Sequence, residues 1–152
     1  MMYSTNKGFT LFIAVLIGSL MLAIGFSIFN LAFKELLLSA SARDSQVAFY
    51  AADTGLECAL YYDQNQEAFR TTGPGGVSIT CAGVTTSVTR AAGSGFFEWE
   101  WVLDDGTLCT TVEVQKFTGT ERTVIRALGY NTCEGDDPRR TERGLRVIYR
   151  GL

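Results

Sequence analysis

The chain has 152 residues, 47% of them hydrophobic and 19% charged, which fits one modest domain with an appendage and excludes intrinsic disorder. Its 13 basic residues against 16 acidic ones leave a net charge of −3, a poor match for a nucleic-acid binder. There is no histidine, which removes Ser-His-Asp and Cys-His catalysis, imidazole metal ligation and the usual neutral-pH switch.

The 26 residues between Lys7 and Lys34 carry no charge at all, whereas all 16 acidic residues lie from Glu35 onward. A bilayer core of about 30 Å needs about 20 helical residues, so the stretch from Gly8 to Phe33 is long enough to span. It is longer than the apolar region of a cleaved secretory signal, about 7–15 residues. Its apolar residues also cover every face, unlike the single stripe of a soluble core helix. A membrane-spanning helix is therefore expected. Lys7 before it and Lys34 after it orient it only weakly by the positive-inside rule.

After Lys34 the pattern becomes amphipathic, and no proline intervenes before Pro74. Leu38, Ala42, Ser45, Phe49, Ala52, Leu56 and Leu60 recur at helical spacing and form one expected apolar stripe, with Arg43, Asp44, Gln46, Asp53 and Glu57 off it. Gly55 reads as a local weakness of the helix, costing roughly 1 kcal/mol relative to Ala. The spacing predicts one helix over 9–62, whose first half wants lipid or other apolar helices and whose second half wants a sheet.

From about Gly73 the chain reads as strands. Phe97, Trp99, Trp101 and Leu103 alternate with Glu98, Glu100 and Val102, giving one apolar face. Asp105-Gly106 predicts a two-residue hairpin that sets Leu103 opposite Leu108, Trp101 opposite Thr110, Trp99 opposite Val112 and Phe97 opposite Val114. Further strands are expected at Val77–Ala82, Val84–Arg90, Thr123–Gly129 and Leu145–Arg150. In the last, Leu145, Val147 and Tyr149 share a face and Arg146, Ile148 and Arg150 the other.

Cys58, Cys81, Cys109 and Cys133 contain no C-x-x-C pair, and no histidine completes a zinc site, so no metal site is assigned. Two disulfides in an exported domain are the expectation. Three pairings are open; Cys58–Cys81 with Cys109–Cys133, which closes the shorter loops, is preferred. Oxidised cysteines place the domain outside the cytoplasm, which puts the N-terminus inside. Glu134, Asp136 and Asp137 offer oxygens for Ca²⁺, though an ordinary polar loop before Pro138 is the favoured reading. Arg139, Arg140, Arg143, Arg146 and Arg150 form a basic stretch available to an anionic surface or to the chain's own acids. Glu98 and Glu100 lack a cleft that would make them a catalytic pair. No cofactor is implied, and the chain is not expected to be an enzyme.

The start Asn6-Lys7-Gly8-Phe9-Thr10-Leu11 resembles a type IV prepilin leader. With the uncharged helix, its amphipathic extension and a small cysteine-bearing β domain, the architecture is similar to that of type IV pilins and pseudopilins. The resemblance implies cleavage by prepilin peptidase between Gly8 and Phe9, after Lys7, and methylation of the new Phe9 amine. Major pilins carry Glu at the fifth position after the cut, where this chain has Ile13. That absence, with Ala51-Ala52-Asp53-Thr54-Gly55-Leu56-Glu57, most resembles PilX-type minor pilins and K-type minor pseudopilins. Ala14 and Gly18 are four apart, as are Ser19 and Ala23, which lets helices approach closely in a membrane. Gly18, Gly25 and Asn30 would let the helix loosen on leaving lipid.

The expectation is thus an α+β, pilin-like fold, a long N-terminal helix packed on a small antiparallel β-sheet. It comprises a leader (1–8), a transmembrane or filament-core helix (9–34), an amphipathic extension (35–65) and a disulfide-stabilised globular domain (66–152). The implied function is a filament subunit that primes or tips assembly, with other pilin subunits, the peptidase and membrane lipid as partners and nucleic acid an unfavoured one. It would sit as a single pass in the cytoplasmic membrane, then in an extracellular or periplasmic filament. The rival expectation is an uncleaved single-pass protein with a binding ectodomain.

Overall fold

A computed structural model describes the backbone of residues 7–150 and the side chains of residues 9–150. One helix, α1 (Lys7–Gln64), precedes six strands, β1 (Gly76–Cys81), β2 (Val84–Ala92), β3 (Phe96–Asp104), β4 (Cys109–Phe117), β5 (Arg122–Tyr130) and β6 (Glu142–Arg150). The strands form one sheet in sequence order, β1 to β6, and every neighbouring pair is antiparallel. The architecture is α+β. Two compact units divide the chain, Met1–Ser41 and Ala42–Leu152, so the second part of α1 belongs with the sheet.

Alternation dictates which face of the sheet is covered. Trp99, Trp101 and Leu103 of β3, Val112 and Val114 of β4, and Ile125 and Ala127 of β5 form the core, joined by Ile79 and Val88. Phe69, after the helix, is fully buried; its ring stacks on Trp101 at 5.6 Å and tilts against Trp99 at 5.5 Å. Leu145, Val147 and Tyr149 of β6 pack against the same core, whereas Arg146, Ile148 and Arg150 are exposed. Strand β2 changes partner midway, pairing with β1 up to Thr89 and with β3 from Arg90.

The β3–β4 register differs from the two-residue hairpin by two positions. Trp101 stands opposite Val112, Trp99 opposite Val114, Leu103 opposite Thr110 and Asp104 opposite Cys109. The cause is Asp105, whose Oδ1 accepts hydrogen bonds from the backbone N–H of Thr107 (2.8 Å) and Leu108 (2.6 Å) and from the Thr107 hydroxyl (2.7 Å). These bonds hold Asp105 to Leu108 out of the ladder as a four-residue loop. A slip of two leaves every side chain on its predicted face.

The helix stripe also differs. Ala48, Ala51, Ala52, Leu56, Ala59 and Asp63 are buried, whereas Leu38, Ala42 and Phe49 are exposed. The sheet selects small residues, not large ones, because the two backbones come close together. A Cβ on Gly55 would lie 2.7 Å from Val112 and 2.9 Å from Thr110. A Cβ on Gly129 of β5 would fall inside the backbone of Ala48 and Ala52. Gly55 is therefore a contact point and not a weak place in the helix.

Candidate assembly helix and its anchorage

The first unit offers one chemistry, an apolar helical surface. The helix contains a stretch of mean hydropathy 2.6 that is long and apolar enough to cross a membrane, and none of it is buried within the chain. Phe9, Phe12, Leu22, Phe26 and Phe29 are each more than 60% exposed, a run of apolar surface that soluble monomers rarely show to water. Ser19 and Ser27 return their hydroxyls to the carbonyls of Leu16 and Ala23, 2.9 Å each, which satisfies both donors for burial in lipid.

Ile13 is 40% exposed, and Ala14 lies on the same open surface. A Cβ at Gly18 or Gly25 would meet nothing within 4 Å, so both offer vacant surface to another helix, and α1 runs unbroken through them. Lys7 and Gly8 fall at the start of α1, described in their backbone alone. The rest of the expected leader, residues 1–6, lies outside the described residues altogether. Phe9 is the first side chain described.

The second unit fastens the helix to the sheet at four places. Backbone contact at Gly55 and Gly129 is the first. The Cys58–Cys81 disulfide, with Cα atoms 6.1 Å apart, joins α1 to β1. At the helix end the Asp63 carboxylate, its side chain 5% exposed, takes the Tyr149 hydroxyl and the Lys116 ammonium, both at 2.5 Å. Burial, and then the Asp63 carboxylate, push the Tyr149 phenol well above the ordinary tyrosine range. At the other end Arg143 Nε donates to Ser45 Oγ at 2.7 Å. The second disulfide, Cys109–Cys133 with Cα atoms 5.3 Å apart, pins the loop after β5 to the start of β4.

An open cleft of about 1130 Å³ lies over the Asp63 clasp, lined by Gln64, Arg70, Thr72, Lys116, Tyr149 and Arg150 among others. The Asp63 carboxylate is already engaged by Lys116 and Tyr149, so the clasp serves to close the fold.

Several other acids are engaged locally. Gln115 Nε2 donates to Glu98 at 2.9 Å and also to Glu113. The bond with Glu113 and then that with Gln115 lower the Glu98 carboxyl, whereas burial and then Glu98 raise that of Glu113. Hydrogen bonds from Leu108 and Thr107 lower the Asp105 carboxyl. Asp137 accepts from the Arg139 backbone at 2.8 Å. Among the described residues Glu134, Asp136 and Asp137 do not converge as metal ligands; the cluster that does is Asp104 with Cys109 and Cys133, whose sulfurs are joined to each other. Arg140 stacks on Tyr130 at 3.8 Å.

Sequence reasoning missed Gly129, Phe69 and the Asp63–Lys116–Tyr149 clasp. A glycine inside an otherwise regular β-branched strand was the available signal for the first. No protein-family description, no curated protein and no solved structure matches this chain.

Proposed function

We propose that this chain is a subunit of a type IV pilus-like filament, of the minor pilin or minor pseudopilin kind, with no catalytic activity of its own. The observation that carries the reading is the pairing of two surfaces on one helix. The first half of α1 exposes apolar side chains on every face, and the second is locked to a small sheet by close packing and a disulfide. Such a helix holds the subunit in lipid and then exchanges lipid for neighbouring subunit helices, which offer equally apolar surfaces.

The sequence at the start of that helix supports the same reading. Lys7-Gly8-Phe9-Thr10-Leu11 suits prepilin peptidase, which would cut before Phe9 and methylate its amine. Ile13 in place of an acid leaves nothing to pair with a neighbour's terminal amine. An uncompensated carboxylate there would cost several kcal/mol in an apolar bundle, and a subunit that starts or tips the filament has no need of it. Two disulfides suit an extracytoplasmic domain.

The test is the mass of the N-terminal peptide from membranes and from sheared surface material of the native cell. A peptide beginning at Phe9 and one methyl group heavy is expected. A peptide still beginning at Met1 or Met2, confined to membranes, would overturn the reading in favour of an uncleaved single-pass protein with a binding ectodomain. Replacing Gly8 with a bulky residue is expected to block maturation.

A further inference from the structure

Two rows on the outer face of the sheet, opposite the helix, are divided by charge. The strand register places Glu100, Glu113, Arg126 and Arg146 in one row across β3, β4, β5 and β6. The row at one end brings together Phe96, Phe117, Arg122 and Arg150, with Arg122 over the Phe117 ring at 4.2 Å. In these two rows acids and aromatics occupy the β3–β4 half and arginines the β5–β6 half, whereas the row at the other end carries an acid on both edges, Asp104 on β3 and Glu142 on β6. Arg126 stands directly opposite Arg146 and Arg122 directly opposite Arg150, an arrangement that destabilises a strand pair. Of these four arginines only Arg126 has an acidic partner among the described residues, Glu113 at 3.3 Å. Charge on an edge strand guards against unwanted pairing, but that explains β6 alone and not the matching arginines of β5.

We propose that this face docks on the same face of a second copy, about a twofold axis running along the strands between β4 and β5. Such a rotation keeps each row at its own height and exchanges left for right. Glu100 then meets Arg146 of the second copy and Glu113 meets Arg126, each twice. In the end row Phe96 and Phe117 receive the second copy's Arg150 and Arg122, and the arginine pairs that repel within one sheet gain partners. The exposed Val102 and Leu128 share a further row with Thr111 and Gly144 and lose water together.

Face-to-face sheets pack about 10 Å apart and cross at about 30°, which keeps the central rows in register. Four strands of nine residues give a footprint that buries on the order of 1,000 Å² over two copies, the low end for a specific interface. The association is therefore weak and salt-sensitive. It draws on the sheet alone and stands whether or not the filament reading does.

The test uses the full chain in detergent, labelled with donor and acceptor fluorophores and titrated at low and at high salt. Glu100→Arg and Arg146→Glu, both on exposed side chains, are each expected to weaken self-association about tenfold, the effect of losing close charge pairs. Mixed in equal amounts, the two variants are expected to associate as the wild type does. In the mixed pair one contact keeps its native Glu100 and Arg146, and the other holds the same two charges with their positions exchanged. Unchanged association of both single variants would overturn the proposal and assign the contact to α1, and failure of the mixture to recover would overturn it too. So would a wild-type chain that stays monomeric while binding polyphosphate in a manner lost in Arg146→Glu.

Discussion

The two halves of α1 obey the same helical geometry and solve opposite problems. Between Phe9 and Leu38 the large side chains point outward all round and meet nothing of their own chain. Between Ala48 and Ala59 the residues facing inward are four alanines, Gly55 and Leu56, with Gly55 against β4 and Ala48 and Ala52 against β5. Bulk serves a helix whose surroundings are apolar, because a large apolar surface gains most when it leaves water. Smallness serves a helix whose partner is fixed, because the nearer the backbones, the better the sheet's own side chains fill the layer.

That contrast can be broken from the packed side first. Phe69→Ala removes the ring held between Trp99 and Trp101 and is expected to cost about 3–5 kcal/mol of domain stability, read as a lowered denaturant midpoint for the full chain in detergent. Removing the Cys109–Cys133 bridge by paired Ser substitutions is expected to cost about 2–5 kcal/mol. Gly129→Ala puts a methyl into the Ala48 and Ala52 backbone and is expected to cost about 1–3 kcal/mol. In that variant the cooperative unfolding of helix and sheet should separate into two phases.

The exposed side responds differently. Gly18→Leu is expected to change domain stability by less than about 0.5 kcal/mol, while changing how tightly the helix assembles with other helices in membranes, measured by crosslinking yield. A loss of domain stability equal to that of Gly129→Ala would erase the distinction between the halves.

A separate effect is read at alkaline pH. The fold holds the Tyr149 phenol above its unfolded value of about 10, so the folded state keeps a proton the unfolded state gives up. Its contribution to stability is complete below pH about 10 and declines as pH rises beyond it. Tyr149→Phe should lower stability near neutral pH by about 1 kcal/mol, the worth of its bond to Asp63. It should also flatten the alkaline decline in a pH series of unfolding curves.

How much of this was legible follows from which signals are local. The alternation of Phe97 to Leu103 and of Leu145 to Arg150 announces strands and their buried faces, because burial on one side writes period two directly into the chain. The β3–β4 register escaped by two positions because it is set by one side chain, Asp105, folding back on its own loop. Of the helix stripe, Ala52, Leu56 and Leu60 are legible and do face the core, whereas counting apolarity favours Phe49 over Ala48 because it misses smallness, a property the partner surface demands. The Asp63 clasp joins side chains 86 positions apart at its widest, and nothing near Asp63 marks it for burial.

The bridge from Cys58 to Cys81 has a mechanical meaning. A pull along α1 reaches β1 through a covalent bond, so the first hairpin cannot peel from the sheet as a free end. The bridges close stretches of 23 and 24 residues, and each withholds about 80 Å of extension, at about 3.5 Å per residue, from a chain under load. A domain strung this way yields in short steps and keeps much of its length in reserve.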